Sequence, residues 1–150
     1  MDTVILSRDF KEFLKLLNSH KVKYLLIGGY AVGYHGYVRA TADIDIWIPI
    51  DEETAGEMVN IITEFGFPVE ILSKKLFLEK ENVIQMGVPP FRIDILTSIS
   101  GVEFPECYQK RVKDLIDGVE VNIIDIDSLR KSKKAAGRDK DNIDIKHLPK

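Results

Sequence analysis

Ile27-Gly28-Gly29-Tyr30 and, fourteen residues after Gly29, Asp43-Ile44-Asp45-Ile46 decide how this chain is read. A glycine pair closes one apolar run, and two carboxylates then alternate with isoleucine through a second. Successive strand side chains point to opposite faces, so Asp43, Asp45 and Trp47 are expected on one face and Ile44, Ile46 and Ile48 on the other. Asp94, in Phe91-Arg92-Ile93-Asp94-Ile95-Leu96, is a third carboxylate in the same kind of setting. Carboxylates two positions apart lie about 7 Å apart along a strand, and their oxygens can converge on one cation. Two such anions repel unless a cation lies between them. Magnesium prefers carboxylate oxygens and keeps positions open for water and phosphate. Two ions about 4 Å apart would stabilise both the attacking and the leaving oxygen of an in-line displacement. Asp43, Asp45 and Asp94 are therefore read as catalytic metal ligands for two magnesium ions, with manganese as the alternative. The competing reading is a half-exposed strand with a solvated polar face, and for Asp94 a surface ion pair with Arg92. Against it stand the depletion of aspartate in strands and the glycine turn ahead of the pair.

Gly28-Gly29 falls between an apparent strand and a short aromatic, glycine-dotted segment expected to be helical. Glycine permits φ > 0 and lets a ligand approach the main chain, and free N–H groups at a helix start attract phosphate. The Walker pattern and the dinucleotide fingerprint are both absent. A turn needed only for packing is the competing reading. Gly33 and Gly36 are assigned to close helix packing. Arg39 and Thr41 precede the carboxylates. Arg39 can hold phosphate bidentately, or stand as a solvated loop arginine, and the alternative for Thr41 is only to start the strand. Near the end Arg130, Lys131, Lys133, Lys134, Arg138 and Lys140 are clustered. Most of these are expected in solvent, with Lys133 and Arg138 taken as candidates for a triphosphate or an RNA backbone. His20, His35 and His147 show no metal-ligand spacing, so surface or helix-packing roles are expected of them, and Cys107, with no local histidine partner, is expected to be a packed or idle thiol.

The chain has 150 residues, 45% hydrophobic and 30% charged, an ordinary balance for one globular domain over residues 1–150. Its formal net charge of −3 excludes a polycation that coats nucleic acid, so attraction to phosphate must be local. One cysteine excludes an internal disulfide. No signal peptide or membrane-length apolar run is visible, and a reducing cytoplasm without membrane association is expected.

The periodicity predicts a helix capped by Ser7, with Phe10, Phe13, Leu14, Leu16 and Leu17 as its apolar stripe. Strands are expected over residues 23–27 and 43–48, the latter ended by Pro49. A second amphipathic helix runs from Glu52 to Phe65, stopped by Gly66. Residues 82–88 and 91–96 read as short strands joined near Pro89-Pro90. Residues 112–116 and 119–124 flank Asp117-Gly118, a two-residue hairpin signal. Two last helices, 128–136 and 140–148, hinge at Gly137. The order implies an α/β (α+β) fold with a mixed β-sheet flanked by helices.

Together these residues resemble the nucleotidyltransferase superfamily that includes DNA polymerase beta. Ile27-Gly28-Gly29, Asp43-x-Asp45 and Asp94 match its core pattern in order. Arg39-Ala40-Thr41-Ala42-Asp43-Ile44-Asp45 is similar to the bacterial branch of abortive-infection-type toxins and small antibiotic nucleotidyltransferases. So is the tail, Lys133-Lys134-Ala135-Ala136-Gly137-Arg138-Asp139-Lys140-Asp141 with Asp144-Ile145. The resemblance spans about residues 22–148. It implies a nucleotidyltransferase-like sheet, metal on Asp43 and Asp45, and a third carboxylate, Asp94, that completes the site and helps the acceptor hydroxyl. It also implies phosphates on Gly28-Gly29. The implied reaction moves a nucleoside monophosphate from an NTP to a small-molecule or RNA acceptor, the RNA case being that of a toxin–antitoxin pair. A non-catalytic nucleotide- or partner-binding module of the same fold is the contrasting class. Many relatives carry a further helical domain that grips the acceptor. Its absence before Lys150 implies an acceptor held in a homodimer or by a partner protein, or a minimal or degenerate member.

Overall fold

The computed structural model describes residues 6–41, 43–67, 73–88 and 91–149. Helix α1, Arg8–Ser19, begins where the Ser7 side chain accepts a hydrogen bond from the Phe10 N–H at 3.1 Å. Its buried stripe is Phe10, Phe13, Leu14 and Leu17, the i, i+3, i+4, i+7 spacing of one helical face. Strand β1, Leu25–Ile27, runs directly into α2, Gly28–Tyr34. Strand β2, Asp43–Trp47, follows, then α3, Glu52–Phe65. Asp51 caps α3 by accepting from the Thr54 N–H at 2.7 Å, and Gly66, at φ +109°, ends it.

Strands β3, Val83–Met86, and β4, Arg92–Leu96, form an antiparallel pair. Their connection through Pro89 and Pro90 lies outside the described residues. Helix α4 is Phe104–Gln109, and β5, Val112–Ile116, turns into β6, Val119–Ile123. Asp117 and Gly118 have φ of +51° and +82°, the paired positive values that a tight hairpin with the right strand twist requires. Helices α5, Ile126–Ala136, and α6, Asp139–His147, meet at Gly137, which is left-handed at φ +66°. Asp125 caps α5, which begins two residues ahead of the expected start.

The six strands form one mixed sheet in the order β3-β4-β2-β1-β6-β5. Strand β2 is antiparallel to β1 and parallel to β4, and β1 is parallel to β6. The mixed sheet with flanking helices is thus the expected α/β architecture. Two elements were not foreseen: α4, and a 3-10 turn at Lys74–Phe77. Six and four residues are too few for a periodic apolar pattern to show. Among the described residues, no helix is long and apolar enough to cross a membrane.

Ile44, Ile46 and Ile48 are fully buried, while Asp43 and Asp45 on the alternate positions keep partial access to solvent. Trp47 shares their face by alternation but is buried against Phe104 of α4, with ring centroids 5.1 Å apart. The polar character of β2 is therefore confined to its first half. His35, His147 and Cys107 take packing roles. Cys107 is buried, His35 Nε2 donates to the Ile124 carbonyl at 2.7 Å, and His147 stacks on Tyr37 at 4.4 Å.

His20 ends α1 and ties it to α3, Nδ1 lying 2.7 Å from Glu57 and Nε2 2.9 Å from Glu64. Both ring nitrogens donate only in the imidazolium, and the hydrogen bonds to Glu64 and then Glu57 raise the His20 pKa. A raised histidine pKa adds stability that is complete below about pH 6.5 and is lost as pH rises through the folded value. His20→Gln should therefore melt below the parent protein in mild acid and converge on it in alkali. A gap in melting temperature that stays constant across that range would show that the clamp is not ionic.

Candidate active site

The register of the central strands sets the site. Asp45 of β2 pairs with Asp94 of the parallel strand β4, Asp43 with Arg92, and Asp45 also faces Ile27 of antiparallel β1. One cross-strand row therefore runs Gln85, Asp94, Asp45, Ile27, and Gly28 follows immediately. Directly opposed residues share a sheet face. The alternation of β2 and β4 then places Asp43, Asp45, Arg92 and Asp94 together on one face. The three expected carboxylates are brought together.

Arg92 stands among them. Its Nη2 donates to Asp43 Oδ2 at 2.7 Å and to Asp94 Oδ2 at 3.2 Å, and its Nε donates to Asp94 Oδ1 at 2.9 Å. The Arg92–Asp94 pair weighed from the sequence is real, but it is part of the carboxylate cluster and not separate from it. Two signals remain uncompensated. Asp43 Oδ1 is buried and has no hydrogen-bond partner among the described residues. The Asp45 carboxyl is pushed up to about 7, first by burial and then by the charges of Asp94 and Asp43, with Lys140 pulling it back. An all-oxygen anionic donor set with an unpartnered buried oxygen has the chemistry of a hard-cation site. Among the described residues, no group of three or more acidic, histidine or cysteine side chains is already spread as a metal cage. The guanidinium of Arg92 takes the bridging position, so an ion shared by Asp43 and Asp94 would have to displace it.

The glycine turn is shaped by these carboxylates. A Cβ built on Gly28 would lie 2.1 Å from Asp45 Oδ2 and 2.9 Å from its Cγ, at a φ of +70°. A Cβ on Gly29 would lie 2.6 Å from Thr41 Oγ1, 2.9 Å from Thr41 Cβ and 3.3 Å from Arg39 Nη1. The missing side chains thus make room for Asp45, Thr41 and Arg39, which gives the pair a packing reason in addition to the phosphate role expected of it. Thr41 Oγ1 also donates to the Asp43 carbonyl at 3.3 Å, which ties the loop to the start of β2.

The cations assigned to phosphate divide into two kinds. Lys133 is buried in α5, its Nζ 3.2 Å from Asp141 and 3.0 Å from Asp144. Arg39 donates Nε and Nη2 to Asp144 at 2.8 and 2.9 Å. Arg138 is held by Asp141 through Nε at 2.7 Å and Nη2 at 3.1 Å, and most of its side chain faces solvent. Burial alone would raise Asp141 and Asp144. Hydrogen bonds from Arg138 and Lys133, and from Arg39 and Lys133 respectively, outweigh it and hold both below the usual carboxylate value. The sequence reading assigned no role to Asp141 and Asp144 individually. Their three-residue spacing on a helix places both on one face and was the available signal.

Residues 6–148 match the family described as nucleotidyltransferases of unknown function, DUF6036. The chain belongs to that family. Solved structures that share its fold include two that are aligned over most of this chain. One is a putative nucleotidyltransferase from Thermotoga maritima, with a TM-score of 0.61, 20% identity, and coverage of 93% of this chain and 89% of the other. The other is an antigenic nucleotidyltransferase-like protein from Paracoccidioides brasiliensis, with a TM-score of 0.54, 19% identity, and coverage of 95% and 75%. A curated relative, large ribosomal subunit protein uL30 of Nanoarchaeum equitans, is 29% identical over 99 residues. That alignment takes in 56% of this chain and 64% of the ribosomal protein, a little under two thirds of its length.

Two predictions follow from the geometry. A carboxyl whose pKa is higher folded than unfolded favours the native state below about 3.8 and loses that contribution as pH rises through about 7. In metal-free protein, Asp45→Asn should therefore raise the melting temperature more at about pH 8.5 than at about pH 5. A larger gain in acid would contradict the assignment. Gly28→Ala forces a side chain into the left-handed region and against Asp45, and should cost about 1–3 kcal/mol in urea unfolding. A neutral result would mean that Asp45 does not pack on the turn.

Proposed function

We propose that this protein is a divalent-metal-dependent nucleotidyltransferase that moves a nucleoside monophosphate from an NTP to an acceptor hydroxyl. The observation that carries the reading is the placement of Asp43, Asp45 and Asp94 on one face of two paired parallel strands, beside the Gly28-Gly29 turn. Membership of a family described as nucleotidyltransferases supports the reaction class. Asp43, Asp45 and Asp94 are the residues that would hold magnesium, which supplies charge neutralisation at the phosphates when bound.

The remaining roles belong to the chain's own groups. The acceptor oxygen forms a bond to the α-phosphorus as the bond from that phosphorus to the bridging oxygen breaks, and pyrophosphate leaves with that electron pair. Asp94 takes the proton of the acceptor hydroxyl, the role that the family resemblance gives to the third carboxylate. Its hydrogen bonds from Arg92 keep its oxygens directed while the carboxylates are not shared with an ion. Arg39, Arg138 and the backbone at Gly28-Gly29 bear on the triphosphate. Lys140 is also near, since its charge acts on Asp45.

A second reading makes the acceptor an RNA. It is favoured by the partial likeness to a ribosomal protein and by the exposed Lys131, Lys134 and Lys140, which offer charge to a phosphate backbone. Ribonuclease sensitivity of a labelled product separates an RNA acceptor from a small molecule.

The test is pyrophosphate release from each NTP with magnesium and cell extract as the source of acceptor. The parent protein should release it, and Asp45→Asn should lose about 10²-fold or more, because the transition state loses a ligand for its counter-charge. Equal, non-zero release from both would remove Asp45 from the mechanism. No release from a parent protein that still binds NTP would leave a binding module.

A further inference from the structure

Outside the carboxylate row, a second set of charges closes on itself. Asp144 is 1% exposed and Asp141 is fully buried, Lys133 lies between them, and Arg39 and Arg138 cap the two ends. Helices α5 and α6 supply the lysine and the two aspartates, Arg138 is the residue that caps the start of α6, and Arg39 comes from the loop leading into β2. A guanidinium has five N–H donors in one plane. Asp144 takes Nε and Nη2 as a fork, which fixes both the position and the plane of the group. The corner left over is Nη1. Its contact to the Ala40 carbonyl is long, 3.4 Å, and it lies 3.3 Å from the point where a Cβ of Gly29 would stand. Nη1 therefore stands beside the glycine turn, its one hydrogen bond among the described residues being the long one to Ala40.

Stability does not account for this arrangement well. Taking charges out of water costs several kcal/mol per ion, and well-packed apolar side chains commonly hold two elements together as well or better. Orientation does account for it. A free arginine loses rotamer entropy when it closes on a phosphate, and one already locked in place does not.

We propose that Asp144, backed by Lys133, is a positioning residue that aims Arg39 at the triphosphate of the bound nucleotide. This rests on the nucleotidyl-transfer reading above. Lys133 then acts through the two buried aspartates, and Arg39 is the group that meets the ligand. The tail helices serve nucleotide binding without themselves lining the phosphate contact at Arg39.

A double-mutant cycle tests it, with affinity for a non-hydrolysable NTP in magnesium measured by calorimetry on the full chain. Asp144→Asn and Arg39→Lys should each weaken binding by about tenfold or more, and the double variant should be no weaker than about Arg39→Lys alone. In NTP turnover the Asp144→Asn defect should appear in KM, with kcat within about twofold of the parent protein. Losses that multiply, or parent-like affinity in an Asp144→Asn protein that merely melts earlier, would make the pair a structural staple and overturn the proposal. Should Asp144→Asn fail to fold, Asp144→Glu keeps the charge while moving the fork by one methylene. Weakened binding in a normally melting Asp144→Glu protein supports the proposal, and unchanged binding overturns it. A parent protein that binds no NTP removes both this inference and the reading beneath it, whereas NTP binding indifferent to Asp144 removes only the inference.

Discussion

Carboxylates brought together on one sheet face repel, and the site depends on what offsets that repulsion. Two like charges about 4 Å apart cost about 4 kcal/mol at an effective dielectric near about 20. The protein responds in two ways. Arg92 bridges Asp43 and Asp94, and the Asp45 carboxyl is pushed up to about 7, first by burial and then by the charges of Asp94 and Asp43, with Lys140 only partly offsetting them. Neither response is complete, since Asp43 Oδ1 stays buried without a donor among the described residues. A fold that served only stability would replace such a cluster with apolar side chains. The frustration is local, while Ile44, Ile46 and Ile48 on the opposite face of β2 are fully buried.

The glycine pair and the carboxylates are one device. Because β1 and β2 pair with Ile27 opposite Asp45, the residue that follows β1, Gly28, comes directly against the Asp45 carboxylate. Only glycine fits there, and only glycine adopts the turn at that φ without strain. The turn positions the carboxylate as much as it opens the backbone. Thr41 and Arg39 fill the equivalent space at Gly29, so the loop ahead of β2 is packed on the same turn. Through Arg39 and Asp144 that loop reaches the last two helices. The distance in sequence between Gly29 and Asp144 thus closes into a few side-chain contacts.

Much of this was legible beforehand, for physical reasons. The helices at Arg8–Ser19 and Glu52–Phe65 carry caps and apolar stripes long enough to read, and Asp117-Gly118 is a turn with a conformational requirement. The period-two alternation around Asp43 and Asp45 gave both the strand and its polar face. Strand order was not legible, because pairing partners far apart in sequence leave no local mark. Arg92 was visible only as a neighbour of Asp94, since its bridge to Asp43 depends on the parallel register of β2 and β4. Lys133 reads from the sequence, with Arg138, as a candidate for a triphosphate or an RNA backbone. Its burial follows from Asp141 and Asp144, which lie on the next helix and neutralise it.

The central claim is that the carboxylate face and the glycine turn act on the α-phosphorus of a nucleotide. The most direct measurement follows that atom. The protein is incubated with magnesium, cell extract and NTP labelled in parallel at the α- or the γ-phosphate, and the products are separated by size and charge. The account predicts that α-label is transferred to an acceptor while γ-label leaves as pyrophosphate. Transfer of γ-label to the acceptor, or no transfer of α-label from any of the nucleotides, would contradict it.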